Sequence, residues 1–165
     1  MDFVIEPMAP EDWEQVRAIY EEGIRSGNAT FETSAPDWEQ WDRAHLPFCR
    51  LVARRAGAVV GWAAVTPISA RKAYAGVAEV SLYVSEKAQG KGVGTALQEE
   101  LTRQSEAQCI WTLQGVVFAE NTASLALLKK SGFREVGRRE RIGQRDGRWR
   151  DTILLERRSP VIGKD

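Results

Sequence analysis

The sequence predicts a mixed α/β (α+β) fold in which a mostly antiparallel central sheet carries helices on both faces. Three observations predict it: strand-like and helix-like apolar patterns alternate, two strand pairs are joined by tight turns, and one strand leads through a glycine cluster into a helix. A chain of 165 residues buries about two-thirds of the surface that its unfolded form exposes. We therefore expect a single domain over residues 1–158, followed by a flexible tail over residues 159–165.

The first elements are a short strand and an amphipathic helix. Phe3 and Ile5 suggest the strand, and Pro10 opens a helix with acidic residues in its first turn. The apolar face of this helix consists of residues at helical spacing: Val16, Ile19, Tyr20 and Ile24. Gly23 and Gly27 mark the end of this helix, where we expect it to fray.

A second helix and a hairpin come next. The helix begins near residues 36–37 and must stop at Pro47, because proline cannot continue a helix. Two β-rich runs, 49–54 and 59–66, are separated by a turn over residues 55–57, which predicts antiparallel pairing. The loop over residues 28–33 lies between the two helices.

The second half alternates strands and helices around the glycine cluster. Residues 77–84 read as a central strand, and the helix after the glycines buries a stripe formed by Val93, Leu97 and Leu101. A strand over 110–118 and a helix over 121–130, ended by Gly132, follow. Two last strands are expected to turn at residues 146–147.

Residues 89–95 read Gln-Gly-Lys-Gly-Val-Gly-Thr between the predicted central strand and its helix. The first N–H groups of a helix lack intrahelical partners, so such a turn can receive a phosphate oxygen. The pattern is not the dinucleotide motif G-x-G-x-x-G, because Thr95 stands at the last position, and it is not a P-loop. The alternative is a sharp strand-to-helix turn that binds no ligand.

The turn resembles the pyrophosphate loop Q/R-x-x-G-x-G/A of the GNAT acetyltransferase superfamily, through Gln89, Gly92 and Gly94. The resemblance covers nearly the whole chain and narrows to the phosphinothricin N-acetyltransferase-like branch, which includes methionine sulfoximine/sulfone acetyltransferases. Further matches, in chain order, are Ile19-Tyr20-x-x-Gly23, residues 28–33, residues 61–63, Arg71-x-Ala73-Tyr74, Ala78-Glu79-x-Ser81-x-Tyr83-Val84, Asn121-x-x-Ser124, Gly132-Phe133 and Gly147-x-Trp149-x-Asp151.

This resemblance implies a GNAT-like sheet that is splayed at its middle and binds acetyl-CoA as cosubstrate. The backbone of Leu82, Tyr83 and Val84 would pair with the acetyl and pantetheine amides, like an added strand. The pyrophosphate would lie on the turn formed by Gln89, Gly90, Lys91, Gly92, Val93, Gly94 and Thr95. Asn121 and Lys130 would contact the pantetheine and the adenosine end, although Lys130 is equally well explained as a solvated helix charge.

Glu79 is the candidate catalytic residue. Amide formation needs a neutral amine, whereas the α-amine of an amino acid is mostly protonated at neutral pH, so a general base must act. Glu79 interrupts an apolar strand, where a carboxylate is costly unless it is paired or used, and it matches the family's catalytic glutamate. The alternative is an exposed glutamate on one strand face. A backbone N–H near Val84 would stabilise the developing oxyanion.

The chain departs from the family at Leu128, where many members carry His or Tyr. Leucine cannot protonate the leaving thiolate, and water or Tyr83 could substitute, so we assign the acid role to no residue. Release of a thiol with a pKa of about 8.5 as thiolate costs only about 2 kcal/mol at neutral pH.

The resemblance implies that a basic segment and an aromatic residue contact the amine substrate. The segment consists of Arg71, Lys72, Ala73 and Tyr74, in which a guanidinium could hold a carboxylate or phosphinate; an ordinary surface loop is the alternative. Phe31 could form a pocket wall. The implied substrates are phosphinothricin, methionine sulfoximine or methionine sulfone, and detoxification is one implied role.

Composition and charge argue against nucleic-acid-binding, membrane-spanning and metal-binding functions. The formal net charge is zero and no basic stripe occurs, which argues against nucleic acid as a partner. No apolar run approaches the roughly 20 residues of a membrane span, and no signal peptide is recognised. Cys49 and Cys109 lack metal-ligand spacing, so we expect buried thiols, no metal site and a cytoplasmic location.

Several alternatives remain open. A non-catalytic acyl-CoA-binding module would explain Leu128, and the amine could instead be an aminoglycoside, a polyamine or a protein N-terminus. The only histidine, His45, is expected to be a capping or interface residue rather than a catalyst. The branch commonly forms homodimers, and an exposed Trp149 would suit such an interface.

Overall fold

The computed structural model describes residues 1–164, so Asp165, the last residue of the predicted tail, lies outside the described residues. Within that range the chain forms one seven-stranded sheet and four α-helices. The strands are β1 (Val4–Pro7), β2 (Leu51–Arg55), β3 (Ala58–Pro67), β4 (Val77–Val84), β5 (Thr112–Phe118), β6 (Arg134–Arg145) and β7 (Arg148–Arg158). The helices are α1 (Trp13–Ser26), α2 (Trp38–Ala44), α3 (Val93–Ala107) and α4 (Thr122–Lys130).

The sheet order is β1-β2-β3-β4-β5-β7-β6. Neighbouring strands are antiparallel, except for the parallel pair β4 and β5. The predicted fold class, with a mixed and mostly antiparallel sheet, is confirmed. No helix among residues 1–164 is long and apolar enough to cross a bilayer.

The parallel pair β4 and β5 is splayed. The two strands are in register only from Val77 opposite Thr112 to Glu79 opposite Gln114. Beyond that pair, β4 stays bonded to β3 up to Val84, and β5 stays bonded to β7 up to Phe118. Each strand is therefore held by its outer neighbour while a gap opens between them, as the family resemblance implies.

The two faces of the sheet carry different cores. On one face, α3 and α4 pack on an aliphatic cluster, and the predicted stripe of Val93, Leu97 and Leu101 is buried there. On the other face, α1 and α2 pack on an aromatic cluster that contains buried Trp13, Trp41 and Trp62. Burial of each large apolar side chain contributes about 1.5–3 kcal/mol, so both layers fix the helices on the sheet.

The end of α1 differs from the prediction. The helix continues through Gly23 to Ser26 and is capped by Gly27, whose φ is +72°. Gly27 thus ends the helix as expected, but the expectation for Gly23 is wrong. A Cβ at Gly23 would lie 2.7 Å from the ring of Tyr83, so this glycine permits close packing of α1 on β4.

Two smaller expectations have different outcomes. Cys49 is buried, and burial raises the pKa of its thiol to about 11. Cys109 is free and exposed, so the expectation of a buried thiol is wrong there. It lies in the exposed turn after α3, with φ of +60°. In the tail, Ser159 is buried and donates to Glu106 at 2.8 Å.

His45 closes α2. Its Nδ1 lies 2.7 Å from the carbonyl oxygen of Trp41, and its ring stacks on Trp41 with centroids 4.0 Å apart. Burial lowers the pKa of His45 below its ordinary value. The residue therefore has a capping and packing role, as predicted.

Candidate active site

The gap between β4 and β5 opens into a cavity of about 900 Å³. This fork cavity is lined by the end of α1, the loop over residues 28–32, β4 from Glu79 to Val84, the glycine turn, residues 115–117 of β5, and α4. Since strands that separate leave backbone groups without sheet partners, the cavity combines polar backbone edges with apolar side chains. Such a site suits an elongated ligand that has amide groups.

Glu79 lies at the narrow end of the fork. It belongs to the last register pair before the strands separate, and the amide of its partner Gln114 donates to Glu79 Oε1 at 2.8 Å. Glu79 is half-buried and lines the fork cavity. Its carboxylate is thus oriented by a neighbouring strand and faces the cavity.

Side chains of β4 alternate between the two faces at the fork. Leu82 and Val84 face α3, because both lie within 3.7 Å of the position of a Cβ at Gly94. Tyr83 points the opposite way, stacks on Trp62 at 4.9 Å and meets Tyr20 edge-on at 4.9 Å. Burial raises the pKa of Tyr83 above its ordinary value. The predicted segment Leu82, Tyr83 and Val84 therefore borders the cavity along its backbone.

The glycine turn forms the N-terminus of α3. Gly90 and Gly92 have φ of +72° and +82°, which L side chains rarely adopt, and Gly92 is the N-cap. The first intrahelical bond runs from Ala96 N–H to Gly92 O at 3.0 Å, so the N–H groups of residues 93–95 point out of the helix end. Open space at Gly90 and Gly92 and the helix dipole fit a diphosphate there.

Asn121 and Phe31 also lie on the cavity wall, and their predicted binding roles stay predictions. Asn121 caps α4 by accepting from Ser124 N at 3.2 Å, and its side-chain amide donates to Asn28 O at 3.1 Å. The ring of Phe31 meets Phe118 edge-on with centroids 4.7 Å apart. Asn121 thus links the start of α4 to the loop that carries Phe31.

Other predicted residues lie outside this wall. The segment of Arg71, Lys72, Ala73 and Tyr74 is exposed between β3 and β4, where the Arg71 guanidinium lies 5.5 Å from the Tyr74 ring centroid. Lys91 is exposed and donates to Lys87 O at 2.8 Å. Lys130 is exposed at the end of α4. Their predicted binding roles stay predictions. Gln89 lines the cavity, and its side-chain amide lies 3.5 Å from Val84 O.

Leu128 lines the cavity as a packing residue. It is 5% exposed, and its Cδ1 lies 2.6 Å from where a Cβ at Gly115 would stand. The missing side chain at Gly115 therefore makes room for Leu128 above β5. This contact explains why an apolar side chain is well accommodated at this position.

Sequence reasoning missed several residues of the site. Gln114 was assigned no role, because its contact with Glu79 depends on pairing between strands that are distant in sequence. Tyr20 was assigned to the apolar helix face, yet it lines the cavity together with Thr30. Tyr83 lines the same part of the cavity wall. The loop motif at residues 28–33 and the match Ile19-Tyr20-x-x-Gly23 were the signals that pointed to this part of the cavity.

Three features of this site are typical of the GNAT type of group-transfer enzyme. They are the splayed sheet, the helix N-terminus suited to a diphosphate, and the carboxylate at the narrow end of the fork cavity. The family profile described as "Acetyltransferase (GNAT) family" matches residues 13–133. The chain belongs to this family and is an acetyl-CoA-dependent N-acetyltransferase.

Individual relatives indicate which branch of the family this chain resembles. The chain is 35% identical to phosphinothricin N-acetyltransferase of Alcaligenes faecalis, over 89% of this chain and 78% of the relative. It is 29% identical to L-methionine sulfoximine/L-methionine sulfone acetyltransferase of Pseudomonas aeruginosa, over 86% of each chain. The crystal structure of a GNAT superfamily phosphinothricin acetyltransferase from Sinorhizobium meliloti in complex with AcCoA superimposes with a TM-score of 0.89 at 28% identity, covering 100% of this chain and 92% of that one. The resemblance to this branch is confirmed.

Proposed function

We propose that this enzyme acetylates the α-amine of a small amino-acid-like substrate of the phosphinothricin, methionine sulfoximine or methionine sulfone type. Transfer would be direct, with Glu79 as general base. The position of Glu79 at the narrow end of the fork, bonded to Gln114 at 2.8 Å and facing the same cavity as the glycine turn, carries this proposal. The names of the relatives support the substrate class.

Glu79 would remove a proton from the bound ammonium group, directly or through a water molecule. A protonated amine has no lone pair with which to attack, so this transfer controls the fraction of reactive substrate. The bond from Gln114 occupies Oε1 and orients the carboxylate. A positioned base of this kind contributes about 10²–10⁴ in rate.

Acetyl-CoA supplies an acetyl group activated as a thioester. The N–H groups of residues 90–95 would hold its diphosphate, and the backbone of Leu82, Tyr83 and Val84 would bond to its amides. We propose that the Val84 N–H also donates to the acetyl oxygen as negative charge develops there. Asn121, which caps α4 within the cavity wall, would contact the pantetheine arm.

Leu128 implies that the thiol leaves without a proton from α4. At neutral pH the thiolate of a thiol with a pKa of about 8.5 is only about 2 kcal/mol less favourable than the protonated form. An apolar residue at this position is therefore compatible with turnover.

The amine would lie between Phe31 and the phenols of Tyr20 and Tyr83. We retain the exposed segment of residues 71–74 as a proposed carboxylate-binding element. We also propose a homodimer, whose interface would cover Trp149, which is 59% exposed. The free cysteines fit the reducing conditions of the cytoplasm, where we place the protein.

The test is a panel of amines incubated with acetyl-CoA while free thiol is measured. Phosphinothricin, methionine sulfoximine and methionine sulfone are compared with an aminoglycoside, a polyamine and a short peptide that has a free N-terminus. We expect amine-dependent thiol release with the first group and little with the second. Preference for the second group would reassign the substrate, and no release with any amine would favour the non-catalytic module.

A further inference from the structure

The hairpin of β6 and β7 reaches back to the loop over residues 27–31, which forms the amine side of the fork cavity. We propose that Arg145 and Arg150 of this hairpin are positioning residues that set the shape of the amine pocket by holding this loop. The inference rests on the proposed function, because it assigns the loop to amine recognition. Three groups of contacts carry it.

Arg145 bonds to the backbone on both sides of the loop, at the last turn of α1 and at Thr30. The residue is 8% exposed, its Nη2 donates to Ile24 O at 2.6 Å, and its Nη1 donates to Thr30 O. A planar guanidinium can satisfy two carbonyl oxygens at a fixed separation, which the point charge of a lysine cannot do. Arg145 therefore sets the distance between the last turn of α1 and Thr30.

Arg150 holds the first two residues of the same loop. Its Nη1 donates to Gly27 O at 2.9 Å, and its Nη2 donates to Asn28 Oδ1 at 2.7 Å and to Glu120 Oε2 at 3.1 Å. The guanidinium carbon lies 4.0 Å from the centroid of the Phe118 ring, in the range of a cation–π contact. One side chain thus links the loop, the end of β5 and the turn before α4.

The loop positioned in this way carries the side chains of the cavity wall. Thr30 lines the cavity together with Tyr20 and Tyr83, and the ring of Phe31 packs against Phe118. On β6, a Cβ at Gly143 would lie 2.8 Å from the Phe31 ring, so the hairpin also determines how far this ring can move. These contacts lie on the α1 side of β4, whereas the glycine turn lies on the α3 side. Changes at the arginines should therefore alter binding of the amine more than binding of the cosubstrate, whose proposed site is joined to the loop through the hydrogen bond from Asn121 to Asn28 O.

The deciding measurement is the Michaelis constant of each substrate for Arg145→Lys and Arg150→Gln. We expect the KM of the preferred amine to rise about tenfold, as for the loss of one hydrogen bond to a charged group. The KM of acetyl-CoA should stay within about twofold, because both arginines bond to residues 24–30 and not to the glycine turn. Arg134→Gln, in the same hairpin but paired with Glu156, is the matched control and should change neither constant. Equal increases in both constants, or no change, would overturn the proposal.

A double-mutant cycle tests the specific contact. Asn28→Ala and Arg150→Gln should raise the amine KM less in combination than the product of their separate effects, because they remove the same bond. Glu120→Gln, which leaves the loop contacts in place, should have little effect. Additive effects of the first pair would contradict the assigned contact.

Amide hydrogen exchange provides a readout that does not depend on activity. Exchange in residues 27–31 should accelerate in Arg150→Gln, while exchange in β2 and β3 stays as in the unchanged protein. Unchanged exchange in this loop would overturn the positioning role, even if the enzyme is active. If the unchanged enzyme acetylates no amine in the panel, the proposed function fails, and with it the assignment to amine recognition, whatever the exchange data show.

Discussion

The side-chain amide of Gln114 donates a 2.8 Å hydrogen bond to Glu79 Oε1, at the last register pair before β4 and β5 separate. The bond connects the two side chains of the pair at which the parallel pairing of β4 and β5 ends. It therefore fixes the proposed base at the narrow end of the cavity that would hold the thioester. Much of the proposed chemistry depends on this placement.

Replacement of Gln114 by Met tests the orienting bond. The substitution keeps a similar shape but removes the donor, so the Glu79 carboxylate should sample more orientations. We expect kcat/KM for the preferred amine to fall about tenfold, while calorimetry finds acetyl-CoA affinity unchanged. A value of kcat/KM equal to that of the unchanged enzyme would show that Glu79 needs no support from β5.

Replacement of Gly94 by Ala tests the close packing at the start of α3. The new Cβ would lie 2.6 Å from Leu127 Cδ1, so Leu127 or the glycine turn must shift. We expect about 1–3 kcal/mol lower stability to unfolding and weaker acetyl-CoA binding, measured by denaturant titration and calorimetry. Gly137→Ala is the control, since a Cβ there meets nothing within 4 Å. Unaltered acetyl-CoA affinity in Gly94→Ala would argue against a ligand at this turn.

Replacement of Leu128 separates packing from proton transfer. Leu128→Ala removes a buried side chain and should lower the free energy of unfolding by about 2–5 kcal/mol. Leu128→Met keeps the volume, so kcat should stay within about threefold. A much larger loss of kcat in Leu128→Met, with stability retained, would mean that this position does more than fill space.

The pH dependence of stability tests the burial of His45. Because burial lowers its folded-state pKa, the unfolded chain binds the proton first as the pH falls. Its stabilising contribution is complete above the unfolded pKa of about 6.5 and is lost as the pH falls through the folded value. His45→Gln should therefore flatten the decline in unfolding free energy between about pH 7 and pH 5. Parallel pH profiles of the two proteins would contradict this assignment.

The sequence was sufficient to predict most elements of the fold, because apolar periodicity, caps and turns are local signals. The segment over residues 77–84 and the hairpin turn at residues 146–147 were predicted at their observed positions. The helical role of Gly23 was missed, because the Tyr83 ring that requires a glycine there comes from another element.

The candidate site could be predicted only in part. Motifs that are continuous in sequence indicated Glu79, the glycine turn and the loop that carries Phe31. The Gln114 partner and the contacts of Arg145 and Arg150 depend on which strands lie side by side, and no local pattern reports that order. The segment of residues 71–74 is exposed outside the cavity wall of this chain, so its role cannot be derived from the contacts of the chain alone.

The central claim is that the carboxylate of Glu79 removes the proton that keeps the amine unreactive. The most direct test is the rate of amine-dependent thiol release by Glu79→Gln, with acetyl-CoA affinity measured alongside. At neutral pH we predict a loss of about 10²–10⁴ in rate with unchanged affinity, and a partial recovery as rising pH neutralises the amine without help from the protein. A Glu79→Gln enzyme that works as fast as the unchanged protein at neutral pH would contradict the account.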